Sequence, residues 1–275
     1  MILAILVLYK EKLDQSKTFR SLFGSLSWRE DLALFVYDNS PIPMHDPAEF
    51  ASRSATIQYV SDTSNPGVSK AYNTGARLAR SLKKQYILLL DQDTLFPQDA
   101  MSRYVEAIRT HEDCALFAPV LDCNGQIFSP CWHGFNIYLP LRNVAPGRVS
   151  ARNRSLLNSG MCVAVDAFEK AGGFDERIPF YFSDHDFMRR YRQRFDSLFV
   201  LDMVCSHNLA DKGPPDIASA LIGFDYFCTG ARNSIKRAGD LFSVLPMSLA
   251  RLARLSVRFK SPAFFRLFIK AFFGK

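Results

Sequence analysis

The chain has 275 residues, of which 48% are hydrophobic and 22% charged, and its formal net charge is +7. This is enough apolar material to bury the core of one large domain, or of one domain with an extension. The whole positive excess lies after Asp240, where seven basic and no acidic residues occur, so the preceding body is electrically balanced. A balanced body argues against nucleic acid as a partner.

The six cysteines are scattered, and no CxxC pair occurs among them. This pattern favours free thiols in a reducing compartment, so we expect a cytoplasmic protein. Residues 1–9 are apolar, but they lack a basic segment and a cleavage site and are too short to span a bilayer. We therefore interpret them as a first strand and not as a signal peptide.

Strand-like and helix-like segments alternate over the first hundred residues. Strands are predicted at 2–8, 32–37, 57–60 and 86–90, and helices at 13–26, 69–82 and 98–110. Small residues in the second helix should let it pack closely on a sheet. The alternation is typical of βαβ units and predicts an α/β fold with a mostly parallel central sheet flanked by helices. The first strand is not followed by G-x-G-x-x-G, the dinucleotide fingerprint.

The strand at 86–90 leads into two carboxylates, Asp91 and Asp93. Its unbroken apolar run predicts a strand buried on both faces. Ligands of open α/β sheets bind beyond the carboxyl ends of such strands, and carboxylate oxygens suit a hard divalent cation. By themselves, however, these residues are equally typical of a strand that ends in a solvated turn.

The second half of the chain is predicted as strands at 115–121, 159–165 and 198–204, with helical segments at 167–171 and from about 183 to 194. Residues 122–154, rich in Pro, Gly, Asn and aromatic side chains, are predicted to be a long functional loop. Ser183 and Asp186 fit a capping box, an alternative to any chemical role for Asp186. Asp184 lies in the first turn of its helix, where the helix dipole favours a carboxylate suited to act as a general base. His207 follows the strand at 198–204 and is a candidate ligand at the same edge.

With these segments in this order, the chain resembles the family 2 glycosyltransferases of the GT-A fold. It is similar in particular to the rhamnosyltransferase-like bacterial enzymes that build surface polysaccharide. The matching motifs arrive in family order over residues 1–207. They are Val7-Leu8-Tyr9, Tyr37-Asp38-Asn39-Ser40, Asn65-x-Gly67 with Ala71-x-Asn73-x-Gly75, Leu88 to Thr94, Ser159-Gly160, Gly172 to Glu176, and Asp184-x-Asp186 running to Arg190. Two departures are Ser183, where the family commonly has Glu, and Lys10, where it commonly has Asn.

The resemblance implies a site for a nucleotide-sugar donor, which would be a dTDP- or UDP-sugar. Asp38 is similar to the residue that recognises the nucleobase, and Asp91 to the ribose-side carboxylate. The implied donor-binding residues are Leu8, Tyr9, Asp38, Asn39, Asn65, Gly67, Asn73, Asp91 and Gln92.

The resemblance also implies metal-dependent, inverting transfer. Asp93 and His207 are similar to ligands of Mg²⁺ or Mn²⁺, and Asp184 to the catalytic base. A cation would stabilise the departing diphosphate while the base takes the proton of the attacking hydroxyl. For the acceptor we predict contacts from Trp132, His133 and Asp186.

The C-terminal residues 241–275 are predicted to be a basic amphipathic helical extension to a glycosyltransferase domain at 1–240. Leu249, Leu252 and Phe259 can share one helical face, with Arg251 and its basic neighbours on another. Such a helix can lie in an anionic membrane surface and bring the enzyme to a lipid-linked glycan of O-antigen or capsule type. We expect a peripheral protein on the inner face of the cell membrane. The alternative is that the tail packs on the body or on a second subunit of an oligomer.

Two other functions fit some of these features. A nucleotidyltransferase also uses carboxylates on an α/β sheet, but it usually has a basic, Gly-rich phosphate loop near its N-terminus, which this sequence lacks. A catalytically silent sugar-nucleotide-binding membrane adaptor would not need Asp91, Asp93 and Asp184 together.

Overall fold

The computed structural model of the protein describes residues 1–24, 32–51, 57–134, 137–207 and 216–274. Strands begin at nearly every predicted apolar run. They are β1 (Ile2–Leu8), β2 (Leu32–Asp38), β3 (Ile57–Ser61), β4 (Tyr86–Asp91), β5 (Thr94–Leu95), β6 (Leu116–Cys123), β7 (Gln126–Gly134), β8 (Ile137–Leu141), β9 (Gly147–Ser150), β10 (Arg154–Ser155), β11 (Cys162–Ala164) and β12 (Ser197–His207).

Helices occupy most of the segments between these strands. They are α1 (Lys17–Phe23), α2 (Pro47–Ala51), α3 (Val68–Ser81), α4 (Ala100–Thr110), α5 (Val165–Lys170), α6 (Ser183–Tyr191), α7 (Ile217–Ser234), α8 (Ala238–Phe259) and α9 (Ala263–Phe273). The predicted helix at 13–26 is divided into a 3₁₀ turn at Leu13–Gln15 and α1, because Ser16 caps α1 by accepting a hydrogen bond from the Phe19 amide. Its last two predicted residues lie outside the described part of the chain.

All twelve strands join one sheet, whose main path runs β10-β7-β6-β11-β4-β1-β2-β3. The pairs β4-β1, β1-β2 and β2-β3 are parallel, as the βαβ alternation predicts. Beyond β4 the sheet is mixed: β11 is antiparallel to both β4 and β6, whereas β12 is parallel to β6. The sheet is therefore purely parallel from β4 to β3 and mixed elsewhere.

The sheet is covered on both faces by helices. Helix α3 lies on one face, where Ala71, Ala76 and Ala79 are buried against a cluster that includes Ile5 and Leu89. Helices α1 and α4 cover the other face and bury their own apolar side chains there. Since Ile87 to Leu90 are completely buried, β4 lies in the centre of the core, as its apolar run predicts.

The prediction of a long loop at 122–154 is wrong. Within that range the chain forms β7, β8 and β9, and β10 begins at its end. The strand β7 pairs with β6, β8 and β10, and β9 pairs with β12, so the segment extends the sheet. Weak alternation along the sequence concealed these strands, because many of their residues are only half-buried. β7 forms hairpins with its neighbours β6 and β8, whereas β9 finds its partner in the later strand β12.

Helices α7, α8 and α9 form a cluster with a core of its own, in which Phe224, Phe264 and Phe268 are almost completely buried. The division predicted at residue 240 falls inside α8, and the cluster begins with α7. Leu252 is buried whereas Leu249 is 45% exposed, so the single apolar face predicted for this helix is divided between a packed and an exposed side. None of the helices in the described ranges combines the length and apolar composition needed to cross a bilayer.

Candidate active site at the strand ends

The carboxyl ends of β1, β2 and β4 bring several predicted residues to one edge of the sheet. Parallel register places Asp91 opposite Val7, and Asp38 opposite Leu8. The Tyr9 amide donates to the Gln92 side-chain oxygen (2.6 Å), and the Gln92 amide nitrogen donates to the Tyr9 carbonyl (3.3 Å). The turn after β1 is thereby joined to the turn after β4.

Asp91 accepts a hydrogen bond from the Tyr72 hydroxyl of α3, at 2.8 Å. Burial, and then the charge of Asp93, raise the pKa of Asp91 to about 6, while the Tyr72 bond and His207 lower it. Asp184 contributes a smaller upward effect on the same pKa. Asp93, Asp184 and His207 thus all act on the charge of Asp91, although these groups come from distant parts of the chain.

Asp93 lies beside His207 of β12, with 3.8 Å between an Asp93 carboxylate oxygen and His207 Nδ1. The Thr94 hydroxyl is 2.8 Å from the same ring nitrogen and 2.7 Å from the Ser159 hydroxyl. The short strand β5 makes this arrangement, because Thr94 pairs directly with His207. An imidazole that is held through Nδ1 can ligate a cation through its other nitrogen.

Asp38 is completely buried at the end of β2. Its two oxygens accept hydrogen bonds from the Ser40 amide (2.8 Å), the Met44 amide (2.9 Å) and the Tyr59 hydroxyl (2.6 Å). Asp38 therefore shapes the turn that follows β2. Asn39 is also buried, and its amide donates to the Leu8 carbonyl at 2.9 Å.

The segment before α3 contains Asn65 and Gly67, both with positive φ (49° and 92°). A Cβ atom at Gly67 would lie 2.2 Å from the Pro179 carbonyl oxygen, so only glycine fits there. The Asn65 side chain donates to the Tyr226 hydroxyl (3.1 Å), which belongs to α7. The Asn73 side chain donates to the Phe174 carbonyl and to the Glu176 carboxylate, and it accepts from the Phe174 amide. In this structure Asn65 and Asn73 thus connect α3 to later parts of the chain.

Asp184 lies in the first turn of α6, and one of its oxygens accepts from the His185 amide at 2.7 Å. The His185 ring is 2.8 Å from the Ser155 hydroxyl of β10 and stacks on Tyr138, with 3.6 Å between the ring centroids. Burial lowers the pKa of His185 below its ordinary value. The first turn of α6, which carries Asp184, is thereby attached to β8 and β10, two strands that were not predicted.

The predicted capping box at Ser183 is wrong. The residue that caps α6 is Phe182, in a left-handed conformation (φ 73°), and it makes no side-chain capping bond. The Ser183 hydroxyl donates to the Phe180 carbonyl (2.7 Å), while the Asp186 side chain is buried and pairs with Arg189 (2.6 Å) and Arg190 (3.0 Å). Asp186 therefore stabilises α6 through ion pairs within the helix.

Trp132 and His133 are consecutive residues of β7, and His133 lies on the Asp184 side of the site. The His133 ring packs against Tyr138 at 4.8 Å between centroids, and Tyr138 in turn stacks on His185. Burial, helped by the neighbouring Arg192, lowers the pKa of His133 to about 4, so this imidazole is neutral near pH 7. Arg192 is hydrogen-bonded to the same imidazole.

Three residues that form hydrogen bonds in the site were not predicted. They are Tyr72, which bonds Asp91, Ser155, which bonds His185, and Tyr226, which bonds Asn65. Tyr72 could have been singled out from the sequence, because it is a tyrosine among the small residues of a predicted helix. The other two partners lie 30 and 161 residues away in sequence from the residues they contact, and nothing local marks them.

The sequence model of glycosyl transferase family 2 matches residues 4–168, which is more than half of the chain. That range includes the strand-end residues from Leu8 to Asp93 and stops before Asp184. A comparison with curated protein sequences found no match.

Several solved structures have a similar fold at low sequence identity. One, titled "GalNAc-T7 with UDP, GalNAc and Mn2+", has a TM-score of 0.62 and 12% identity over 98% of this chain and 56% of its own. Another is TarS of S. aureus, with a TM-score of 0.55 and 12% identity over 91% of this chain and 43% of its own. TarS residues 1–349 in complex with UDP-GlcNAc give 0.55 and 12%, over 98% of this chain and 81% of that one. This chain therefore spans about half the length of the first two proteins, and the likeness establishes the fold.

Proposed function

The chain belongs to glycosyl transferase family 2 and has the GT-A fold with a C-terminal helical region, and from this premise we propose that it transfers a sugar from a nucleotide-sugar donor to an acceptor hydroxyl with inversion at the anomeric carbon. The observation that carries the proposal is the geometry of one sheet edge. There the Tyr9–Gln92 bonds join the turns that follow β1 and β4, Asp91 is bonded to Tyr72, and Asp93 lies 3.8 Å from His207. Carboxylates at the strand ends of an α/β sheet can hold the divalent cation that a diphosphate-linked donor needs.

For the donor we propose a dTDP- or UDP-sugar, with rhamnose as the leading candidate sugar. The solved structures with UDP or UDP-GlcNAc in their titles support a pyrimidine nucleotide. Tyr9, Asn39 and Gln92 lie together where β1, β2 and β4 end, and Asp91 lies beside them. We assign the base and ribose to this edge. Asp38 then acts by shaping the turn, since its oxygens are bonded to Ser40, Met44 and Tyr59.

For the cation we propose Mg²⁺ or Mn²⁺ held by Asp93 and His207. The donor set is suitable in kind, because a carboxylate lies beside an imidazole whose Nδ1 is bonded to Thr94, which leaves its other nitrogen for a cation. Among the described residues no group of three or more His, Cys, Asp or Glu side chains is placed to enclose a metal. We expect diphosphate oxygens and water to supply the other ligands, which is usual for Mg²⁺ bound with phosphates. The cation would stabilise negative charge on the departing diphosphate.

Asp184 is the proposed general base. It lies in the first turn of α6, and its neighbours His185 and Ser155 fix that turn. The base accepts the proton of the acceptor hydroxyl while the oxygen attacks the anomeric carbon. The bond to the diphosphate breaks in the same step. For the acceptor side we propose His133, which the Tyr138 stack connects to the Asp184 turn, and its neighbour Trp132 on β7. Asp186 does not join them, because its carboxylate is buried and paired with Arg189 and Arg190.

We further propose that helices α8 and α9 rest on an anionic membrane at the cytoplasmic face, where a lipid-linked glycan is the acceptor. Phe242 (84% exposed), Leu249 and Val257 recur at nearly helical spacing and form an apolar stripe on α8. Phe265, Ile269 and Phe273 do the same on α9. The exposed cations beside these stripes are Arg254, Arg258, Lys260, Arg266 and Lys270. Apolar side chains flanked by cations suit the interface of an anionic bilayer.

The proposed reaction is tested by incubating the purified protein with dTDP-, UDP- and GDP-sugars, with and without Mn²⁺, and with lipid-linked acceptor. We expect nucleotide release from one donor class, increased by Mn²⁺. Release from none of them with acceptor present would contradict the enzymatic proposal and favour the silent adaptor.

The membrane proposal is tested by co-sedimentation with vesicles. We expect binding to vesicles with phosphatidylglycerol and weak binding to pure phosphatidylcholine. Phe242→Ser with Phe265→Ser should abolish sedimentation, because it removes one strongly exposed apolar side chain from each helix without opening their shared core. Sedimentation equal to that of the unchanged protein would contradict the proposal.

A further inference from the structure

The helical cluster contacts more than its own core. Arg251 of α8 lies over the Tyr181 ring (4.6 Å to the centroid) and the Phe227 ring (4.3 Å), and it donates to the Tyr181 hydroxyl at 3.2 Å. This arginine was predicted to lie on an exposed basic face, but it is half-buried between α7 and residues 179–182, which we name the 179–182 loop.

The 179–182 loop ends at the helix that carries the proposed base. Phe182 immediately precedes α6 and has φ 73° and ψ −5°, a conformation that a bulky side chain adopts only when its surroundings hold it. The carbonyl of Phe182 accepts from the Asp186 amide at 2.9 Å, which closes the first turn of α6 around Asp184. A shift of Phe182 would therefore move the Asp184 carboxylate.

Helix α7 presses on the same loop from the other side. Gly230 lies so close that a Cβ atom there would be 2.3 Å from the Tyr181 carbonyl oxygen. The Phe227 ring packs against both Tyr181 (5.7 Å between centroids) and Phe182 (5.2 Å). The loop is thus enclosed by α7, with Arg251 closing the contact from α8.

The opposite end of the loop contacts the donor side. The Val68 amide donates to the Pro179 carbonyl (2.8 Å), and the Ser69 hydroxyl donates to the carbonyl of Ile178, which precedes the loop (2.5 Å). These bonds hold the start of α3, directly after Asn65 and Gly67. The 179–182 loop therefore connects the donor side at Pro179 with the base at Phe182.

We propose that Arg251 is a positioning residue for Asp184: by clamping Tyr181 between α7 and α8, it holds Phe182 and so aims the base at the acceptor. The inference rests on the proposed function of Asp184. It gives the helical cluster a role in the chemical step that is separate from any contact with a membrane. Because the ring contacts and the hydrogen bond of Arg251 are made with Tyr181 and Phe227, its loss should disturb the base end of the loop more than the donor end.

The test is Arg251→Met, which keeps much of the aliphatic bulk and removes the cation. Hydrogen exchange should become about tenfold faster at the amides of residues 183–186, because their local opening becomes easier. Exchange at Leu88 to Leu90 should not change. The kcat for nucleotide release should fall about ten- to a hundredfold, which is the order expected for a base displaced by about an ångström. The Kd for UDP or dTDP with Mn²⁺ should stay within twofold.

Arg251→Lys retains a cation near the rings and should recover part of the kcat. Arg232→Met, at an exposed arginine of α7, is the matched control and should leave exchange and kcat unchanged. Equal exchange at 183–186 in Arg251→Met and in the unchanged protein would overturn the inference. So would a loss of melting temperature with unchanged kcat per nucleotide-binding site, since that is a purely structural effect.

The two proposals fail separately. If the unchanged protein releases no nucleotide from any donor, the proposed reaction fails, while faster exchange in Arg251→Met would still support the positional contact. If the unchanged protein is active and Arg251→Met keeps its kcat, only the positioning inference is overturned.

Discussion

The donor side and the base side of the site are built in different ways. Asp91 ends a strand whose central residues, Ile87 to Leu90, are buried, and Asp93 lies two residues beyond it; the parallel register of β1, β2 and β4 places this strand end. Asp184 instead lies in the first turn of a helix, and that turn depends on Ser155, Tyr138 and the 179–182 loop. The comparison indicates that the donor side draws its rigidity from the central sheet, and the base side from side-chain contacts between distant segments.

The strongest test of this difference is Asp184→Asn, which keeps the shape of the side chain and removes the base. We expect kcat to fall by about 10²- to 10⁴-fold, the usual range for a general base. Donor binding should remain, because the sheet edge is unchanged, and calorimetry with UDP or dTDP would measure it. Asp202→Asn, at an exposed carboxylate of β12, is the control. If binding and turnover were lost together, Asp184 would not be the base.

The second test is Asp93→Asn on the donor side. Removing a carboxylate that holds a cation on the diphosphate should lower the rate by about 10²- to 10³-fold, the magnitude seen when one charge-stabilising group is removed. Unlike Asp184→Asn, it should also weaken donor binding and reduce the stimulation by Mn²⁺. A titration of rate against Mn²⁺ concentration measures this, and a stimulation equal to that of the unchanged protein would exclude Asp93 as a ligand.

Tyr72→Phe is a milder change on the same side. It removes the hydroxyl that donates to Asp91, a hydrogen bond worth about 1 kcal/mol, so nucleotide affinity should fall about fivefold. Because that bond lowers the pKa of Asp91, its loss should raise this pKa above the present value of about 6. Binding that needs the ionised carboxylate would then be lost at a higher pH as the solution is acidified. Calorimetry between pH 5.5 and 8 measures the shift, and an unchanged profile would contradict it.

Ser155→Ala should have the smallest effect. It removes the hydroxyl beside the His185 ring, but the Tyr138 stack still holds that ring. We expect kcat to fall about two- to fivefold, the equivalent of one ordinary hydrogen bond, with no change in nucleotide affinity. Steady-state rates at saturating donor test this. A change in the Kd for nucleotide without a change in kcat would show that Ser155 acts on the donor side, and would contradict the difference between the two sides of the site.

Much of the donor side could be predicted because its signals are local. An unbroken apolar run such as Ile87 to Leu90 requires a buried strand, and the alternation with helices requires parallel neighbours. The edge where Asp91 gathers with Tyr9 and Asp38 follows from those two facts. The hydrogen bonds that the Asp38 oxygens accept could not be predicted in this way, because one donor, the Tyr59 hydroxyl, belongs to the next strand.

Prediction failed where the local pattern is weak or the deciding contact is distant in sequence. The strands at 126–155 alternate weakly, so the hairpins of β7 with β6 and β8 are not marked locally, and β9 pairs with the later strand β12. The cap of α6 was misjudged for a related reason: Ser183 matches a local capping pattern, but the contacts of Phe182 with α7 decide where the helix begins.

The amino-acid sequence by itself determined the α/β alternation, the buried central strand with its acidic end, and the concentration of positive charge after Asp240. These properties depend on side-chain polarity and short-range periodicity, which are readable along the chain. Only the tertiary structure decided that residues 122–154 extend the sheet, that Arg251 faces Tyr181 and not solvent, and that Asp184 shares an electrostatic environment with Asp91. Those outcomes depend on the burial of groups brought together from distant positions, and no local pattern records which partners will meet.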